Sequence, residues 1–111
     1  MKIRLTELGV ATYLAPTGPL VEANLSDLQE SVQEASKGGA PKLVINLGQV
    51  PFLDSRALEF LLDLSSNLRR NGGTLCLANV GTVCRDVLAM TGLDGTIPVY
   101  DDIESAGESF L

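Results

Sequence analysis

Leu25, Leu28, Val32 and Ala35 follow one another at spacings of three, four and three, while Asp27, Gln29, Glu30, Gln33 and Glu34 fill the positions between. That period predicts an amphipathic helix with one apolar stripe. Ser26-Asp27-Leu28-Gln29 has the form of a capping box, with Asn24 as a competing cap, and Gly38-Gly39 after Lys37 marks the end. A second helix is predicted from about Ser55 to Arg70, with Ala57, Leu61, Leu64 and Leu68 inward and Arg56, Glu59, Asp63, Asn67 and Arg70 outward. Asn71-Gly72-Gly73 ends it. A third runs from Thr82 or Val83 to Thr91 and stops at Gly92. Beyond Asp101-Asp102, which offers an N-cap, Ile103, Ala106 and Phe110 make the stripe of a terminal helix despite Gly107.

Other apolar segments are too short for helices. Ile3-Arg4-Leu5 and Val10 to Leu14, either side of Glu7-Leu8-Gly9, suit two antiparallel strands joined by a tight turn. Pro16-Thr17-Gly18-Pro19 reads as a loop. Lys42 to Leu47 is rich in branched apolar residues without alternation, as expected of a strand buried on both faces. Thr74 to Asn79 repeats that signal, and Ile97 to Tyr100 supplies a last strand. Strands alternating with helices imply parallel pairing through right-handed crossovers. The expected fold is α/β, one domain over residues 1–111, with central parallel strands and an N-terminal hairpin in a mixed sheet covered by about four α-helices.

A chain of 111 residues with 45% apolar and 20% charged residues has the composition of a globular domain with one core. Its net charge of −6 argues against direct nucleic-acid binding, which needs Lys and Arg to neutralise phosphates. No apolar run approaches the roughly 20 residues that span a bilayer, and Met1 to Glu7 lacks a signal peptide's apolar stretch. A cytoplasmic protein without membrane insertion is expected. Cys76 and Cys84 form no CxxC pair and are expected as reduced core residues.

Histidine is absent, which removes the commonest general base and metal ligand together. Glu59 and Asp63, four apart, are better read as a solvated helix face than as an acid-base pair or metal site. The paired glycines match no phosphate-cradling motif, and Asp101, Asp102 and Glu104 lack the oxygen-ligand spacing of a calcium loop. No enzyme, no metal site and no cofactor is expected.

The informative segment is Val50 to Glu59, which joins a buried strand to a helix. In open α/β sheets, ligands and partners meet the protein at such junctions. Asp54 and Ser55 fall at the helix start, where unpaired amides and the positive end of the helix dipole favour an oxygen. Either residue can simply cap the helix, or the serine hydroxyl can be a modification site. Phe52, Leu53 and Leu58 are either a contact patch beside Ser55 or core, with Leu58 leaning to core.

The order of segments from about Val10 to Phe110 resembles the STAS family, the sulfate-transporter and anti-sigma-factor-antagonist domains. Gly18-Pro19-Leu20 matches its Gly-x-Leu-Asp turn, with Val21 in place of the acid. Phe52-Leu53-Asp54-Ser55 matches the apolar pair and Asp-Ser that follow its buried strand, while Asn46, Arg56 and Ala57 depart. Arg70 to Leu75 and Val87 to Leu93, with its Thr-Gly-Leu turn, are similar to later segments. The resemblance implies an anti-sigma factor antagonist that binds an anti-sigma factor serine kinase through Asp54, Ser55, Arg56, Glu59 and Asp63, and is switched by phosphorylation at Ser55. Arg56 then either pairs with that phosphate or is a solvated first-turn residue. The departures at Arg56 and Ala57 leave a rival role open, as a STAS subunit of a phospholipid-transport ABC complex or a stress-sensing scaffold without a phosphate cycle.

Overall fold

A computed structural model describes residues 1–37 and 39–111, so Gly38 of the expected Gly38-Gly39 stop lies outside the described residues. Strands β1 (Lys2–Leu8) and β2 (Ala11–Thr17) form the opening hairpin, and helix α1 (Leu25–Ala35) follows a 3-10 turn at Glu22–Asn24. Then come β3 (Lys42–Asn46), α2 (Ser55–Arg70), β4 (Thr74–Ala78), α3 (Thr82–Thr91), β5 (Val99–Tyr100) and α4 (Ile103–Glu108). Among the described residues the strands make one sheet in the order β1-β2-β3-β4-β5, antiparallel at β1/β2 and parallel elsewhere. This is the expected mixed sheet with its hairpin at one edge.

Side-chain alternation divides two apolar clusters between the two faces of the sheet. Leu14, Leu43, Ile45, Leu75 and Leu77 join Leu28 and Val32 of α1, Ala57, Leu61, Leu64 and Leu68 of α2, and Cys84 and Leu88 of α3. Val44, Cys76 and Ala78 point the other way, where Tyr13, Ile103, Ala106 and Phe110 pack with them. Strands β3 and β4 are therefore covered on both sides, which is why they lack alternation in the sequence. Burying the three leucines of α2 contributes roughly 5–9 kcal/mol, several times what a cap or a surface ion pair supplies, so packing rather than end chemistry holds that helix. Both cysteines are buried; burial pushes the Cys76 thiol up to about 11 and raises that of Cys84.

Four expectations change. Glu7 and Leu8 belong to β1, pairing with Thr12 and Ala11, so the tight turn is Gly9-Val10 rather than Glu7-Leu8-Gly9. Pro16 and Thr17 are the end of β2 rather than a loop, because the pairing of β2 with β3 covers only Thr12–Leu14. Past Leu14 that side of β2 has no ladder for a proline to break. Helix α1 has no capping box at Ser26: Asn24 occupies the N-cap position, but its side chain accepts from the Val21 amide (3.1 Å) and donates to the Pro19 carbonyl (2.8 Å), tying down the preceding turn. Strand β5 is only Val99–Tyr100, while Ile97 is fully buried ahead of it.

Gly107 sits in α4 where a Cβ would collide with the Tyr13 hydroxyl, so a bare backbone lets the helix lie against the sheet. Glycine to alanine inside a helix ordinarily gains about 1 kcal/mol. Here Gly107→Ala is expected to lose stability by about 1–3 kcal/mol through overpacking. Adding Tyr13→Phe, which removes the colliding oxygen, is expected to restore most of it, both read as shifts in urea midpoint. Stabilisation by the single change would show that α4 does not press on Tyr13.

Candidate functional site

Loops at the carboxyl ends of the parallel strands are stitched to one another before α2 begins. At the end of β3, the Asn46 side-chain oxygen accepts from the Gly48 amide (2.9 Å) and from the Asn79 side-chain amide (3.2 Å). Asn79 holds the left-handed conformation (φ 58°), which asparagine tolerates better than most residues, and a Cβ on Gly48 would strike its amide. From there the loop after β3 runs beside the loop after β2. The Gly18 amide donates to the Gln49 carbonyl (2.9 Å), Leu20 to Phe52 (3.1 Å) and Asp54 to Leu20 (3.1 Å). Leu20, Val50 and Leu53 are buried beneath this seam, whereas Phe52 stays 47% exposed.

The seam delivers Asp54 to the first turn of α2 in an extended conformation (φ −96°, ψ 178°). One carboxylate oxygen accepts from the Ala57 amide (2.9 Å) and the other from the Glu22 amide (2.9 Å). A single side chain thus caps the helix and clamps the neighbouring loop. Those amides, Ala57 first and Glu22 second, hold its carboxyl below the ordinary value of 3.8, with further help from Arg56 and against a smaller cost of desolvation.

Ser55, the first residue of α2, is exposed, and its hydroxyl makes no hydrogen bond to a described residue. Of the two candidate caps, Asp54 does the capping and Ser55 is spare. Arg56 is also exposed and leans on Glu59 (3.5 Å), so it is a solvated first-turn residue here. Glu59 and Asp63 continue along the exposed side of the helix, together with the 41% exposed Leu62. Leu53 is core, and Leu58 is half-buried against the core as expected. Among the described residues no three His, Cys, Asp or Glu side chains gather as metal ligands, and no helix is long and apolar enough to cross a membrane.

Sequence reasoning missed Asn79 and Glu22. Asn79 stands before Val80-Gly81, a turn signal, but Glu22 contributes only its backbone amide, which no residue type announces.

A five-stranded mixed sheet with a stitched, serine-bearing helix start defines a small single-sheet α/β domain. The chain belongs to the STAS domain family, which matches residues 2–106. It is similar to BtrV of Bordetella bronchiseptica, a candidate anti-sigma factor antagonist, with 24% identity over 110 residues, 99% of this chain and 95% of BtrV. The crystal structure of a candidate anti-sigma factor antagonist from Thermotoga maritima superposes with a TM-score of 0.89 at 24% identity, covering 96% of this chain and 92% of that one. Bacillus SpoIIAA, solved in its phosphorylated form, superposes at 0.72 with 18% identity, covering 97% and 99%. At these identities the solved structures speak for the fold.

The clamp makes a pH-dependent prediction. Asp54→Ala is expected to lower the melting temperature at pH 7 by on the order of 4–8 °C, as loss of one cap does in a domain of this size. Asp54→Asn keeps the acceptor for Ala57 but sets an NH2 group against the Glu22 amide, so it should fall between. Because folding lowers the Asp54 pKa, its contribution is complete above the unfolded value of 3.8 and disappears as pH falls through the folded value. The gap between wild type and Asp54→Asn should therefore close below about pH 3.8 in a melting series. A constant gap across that range would contradict the clamp.

Proposed function

We propose that the chain is a non-catalytic, cytoplasmic module of one STAS domain, an anti-sigma factor antagonist that binds an anti-sigma factor serine kinase and is released by phosphorylation of Ser55. The observation that carries this reading is the division of labour at the start of α2: Asp54 meets the needs of the helix and the loop, and Ser55 offers a free, exposed hydroxyl. Family membership supports it, as do the relatives named as anti-sigma factor antagonists and the phosphorylated form of SpoIIAA.

The partner-binding face consists of Asp54, Ser55, Arg56 and the outward Glu59 and Asp63. A phosphate on Ser55 adds about −1.5 to −2 at pH 7 beside Asp54, in a chain whose net charge is already −6. The helix tolerates it, since the dipole and first-turn amides favour an anion there. A partner shaped around a neutral hydroxyl must instead desolvate or oppose the new charge. Modification therefore acts on binding and not on folding.

Ser55→Ala is expected to bind the kinase and resist phosphorylation. Ser55→Glu is expected to bind about 1–3 kcal/mol more weakly, and both should melt near the wild-type temperature. Partner identity is read by pull-down from host lysate with mass spectrometry, and affinity by calorimetry with the recovered kinase. Recovery of a transport ATPase or a larger scaffold instead, with Ser55 left unmodified by host kinases and ATP, would replace this function with the transport or scaffold role. Unfolding of both variants would make Ser55 a structural residue.

A further inference from the structure

Helix α4 packs on β3, β4 and β5 and meets the hairpin at Tyr13, while Lys2 and Arg4, nearer the other end of the hairpin, are exposed. Lys2 and Arg4 are two apart on β1 and so share a side, with Thr17 and Ala15 directly opposite them on β2. Ile3 between them packs against the large core under α1, so Lys2 and Arg4 look out from the opposite side. With Asn46 and Gln49 from β3 and its loop, these residues line a concavity of about 410 Å³.

None of the lining residues is acidic, in a chain with 14 acids and 8 bases. Among the described residues Lys37, Arg56 and Arg85 pair with carboxylates; Lys2 and Arg4, like Lys42, Arg69 and Arg70, have none within ion-pair distance, and of these only Lys2 and Arg4 line this concavity. Asn46 adds a donor. Its oxygen is fixed by Gly48 and Asn79, which leaves its NH2 group with no acceptor among the described residues. The concavity therefore gathers an ammonium, a guanidinium and side-chain amide donors, a set suited to a dianionic oxyanion and to nothing cationic.

We propose that this concavity binds a phosphate group, free or carried on a small molecule. Two cations balance its two charges, and the Arg4 guanidinium can meet two of its oxygens at once. The volume lies within the range of roughly 300–1,000 Å³ typical of small-ligand sites, which leaves room for a group attached to the phosphate. The site is separate from Ser55 and does not depend on its role.

The test is an NMR titration of the 15N-labelled chain with sodium phosphate and, separately, ribose 5-phosphate, against sodium chloride at matched ionic strength. Saturable shifts are expected at the amides of Lys2 to Leu5, Ala15, Thr17 and Asn46 to Gln49, with either phosphate but not with chloride. The double variant Lys2→Gln/Arg4→Gln, exposed at both positions, should keep the wild-type melting temperature and bind on the order of tenfold more weakly or worse. Lys42→Gln, a basic change outside the concavity, should bind as wild type does. Tighter binding of ribose 5-phosphate supports a phosphate carried on a metabolite, and equal binding supports a site for the bare group. Absence of saturation, shifts confined to the start of α2, or an unaltered double variant would overturn the proposal.

Discussion

Two backbone amides from different parts of the chain, Ala57 and Glu22, converge on the Asp54 carboxylate. The same residue's own amide bonds to Leu20, so the loops after β2 and β3 are fixed to the helix start at one point. The position of α2 over the sheet comes from its buried leucines, whose contribution of several kcal/mol exceeds any end effect. What the carboxylate sets is the conformation of the first turn. With both amides served by Asp54, the Ser55 hydroxyl is exposed and has no hydrogen-bond partner among the described residues.

The parallel order of β2 to β5 brings their carboxyl-end loops to one edge, and that edge carries most of the unusual local chemistry. Asn79 in a left-handed conformation, the bare backbone of Gly48 and the twice-used oxygen of Asn46 all lie there. Residues at such positions answer to neighbours in the adjacent loop rather than to a helix or strand period. Asn46 serves there as an acceptor through its side-chain oxygen, since the hydrogen bonds it takes need an oxygen and not a charge.

Local pattern was enough to place α2 at Ser55–Arg70 and to identify its inward and outward faces, because three leucines on one stripe and glycines after Arg70 are signals carried by consecutive residues. Central burial of β3 and β4 was equally legible from runs of apolar residues. Pro16 in a strand was not legible because its tolerance depends on where β3 stops pairing; the Ser26 capping box does not form because the helix starts at Leu25 behind Asn24, whose side chain serves the preceding turn. Gly107 looked like a flaw in a helix until Tyr13 was seen opposite it. The Asp54-Ser55 pair was visible as a candidate, but the division of work between them rests on the Ala57 and Glu22 amides, one of which lies 32 residues away.

The most direct test of the central claim compares the unmodified chain with the same chain phosphorylated to completion at Ser55. Calorimetric titration of each form with the kinase proposed as its partner, alongside amide spectra of each form alone, separates binding from folding. The account predicts amide shifts confined to the neighbourhood of Asp54 to Glu59, together with a loss of affinity of at least about tenfold, equivalent to about 1.4 kcal/mol. Equal affinity for both forms, or spectral changes spreading through the sheet, would contradict it.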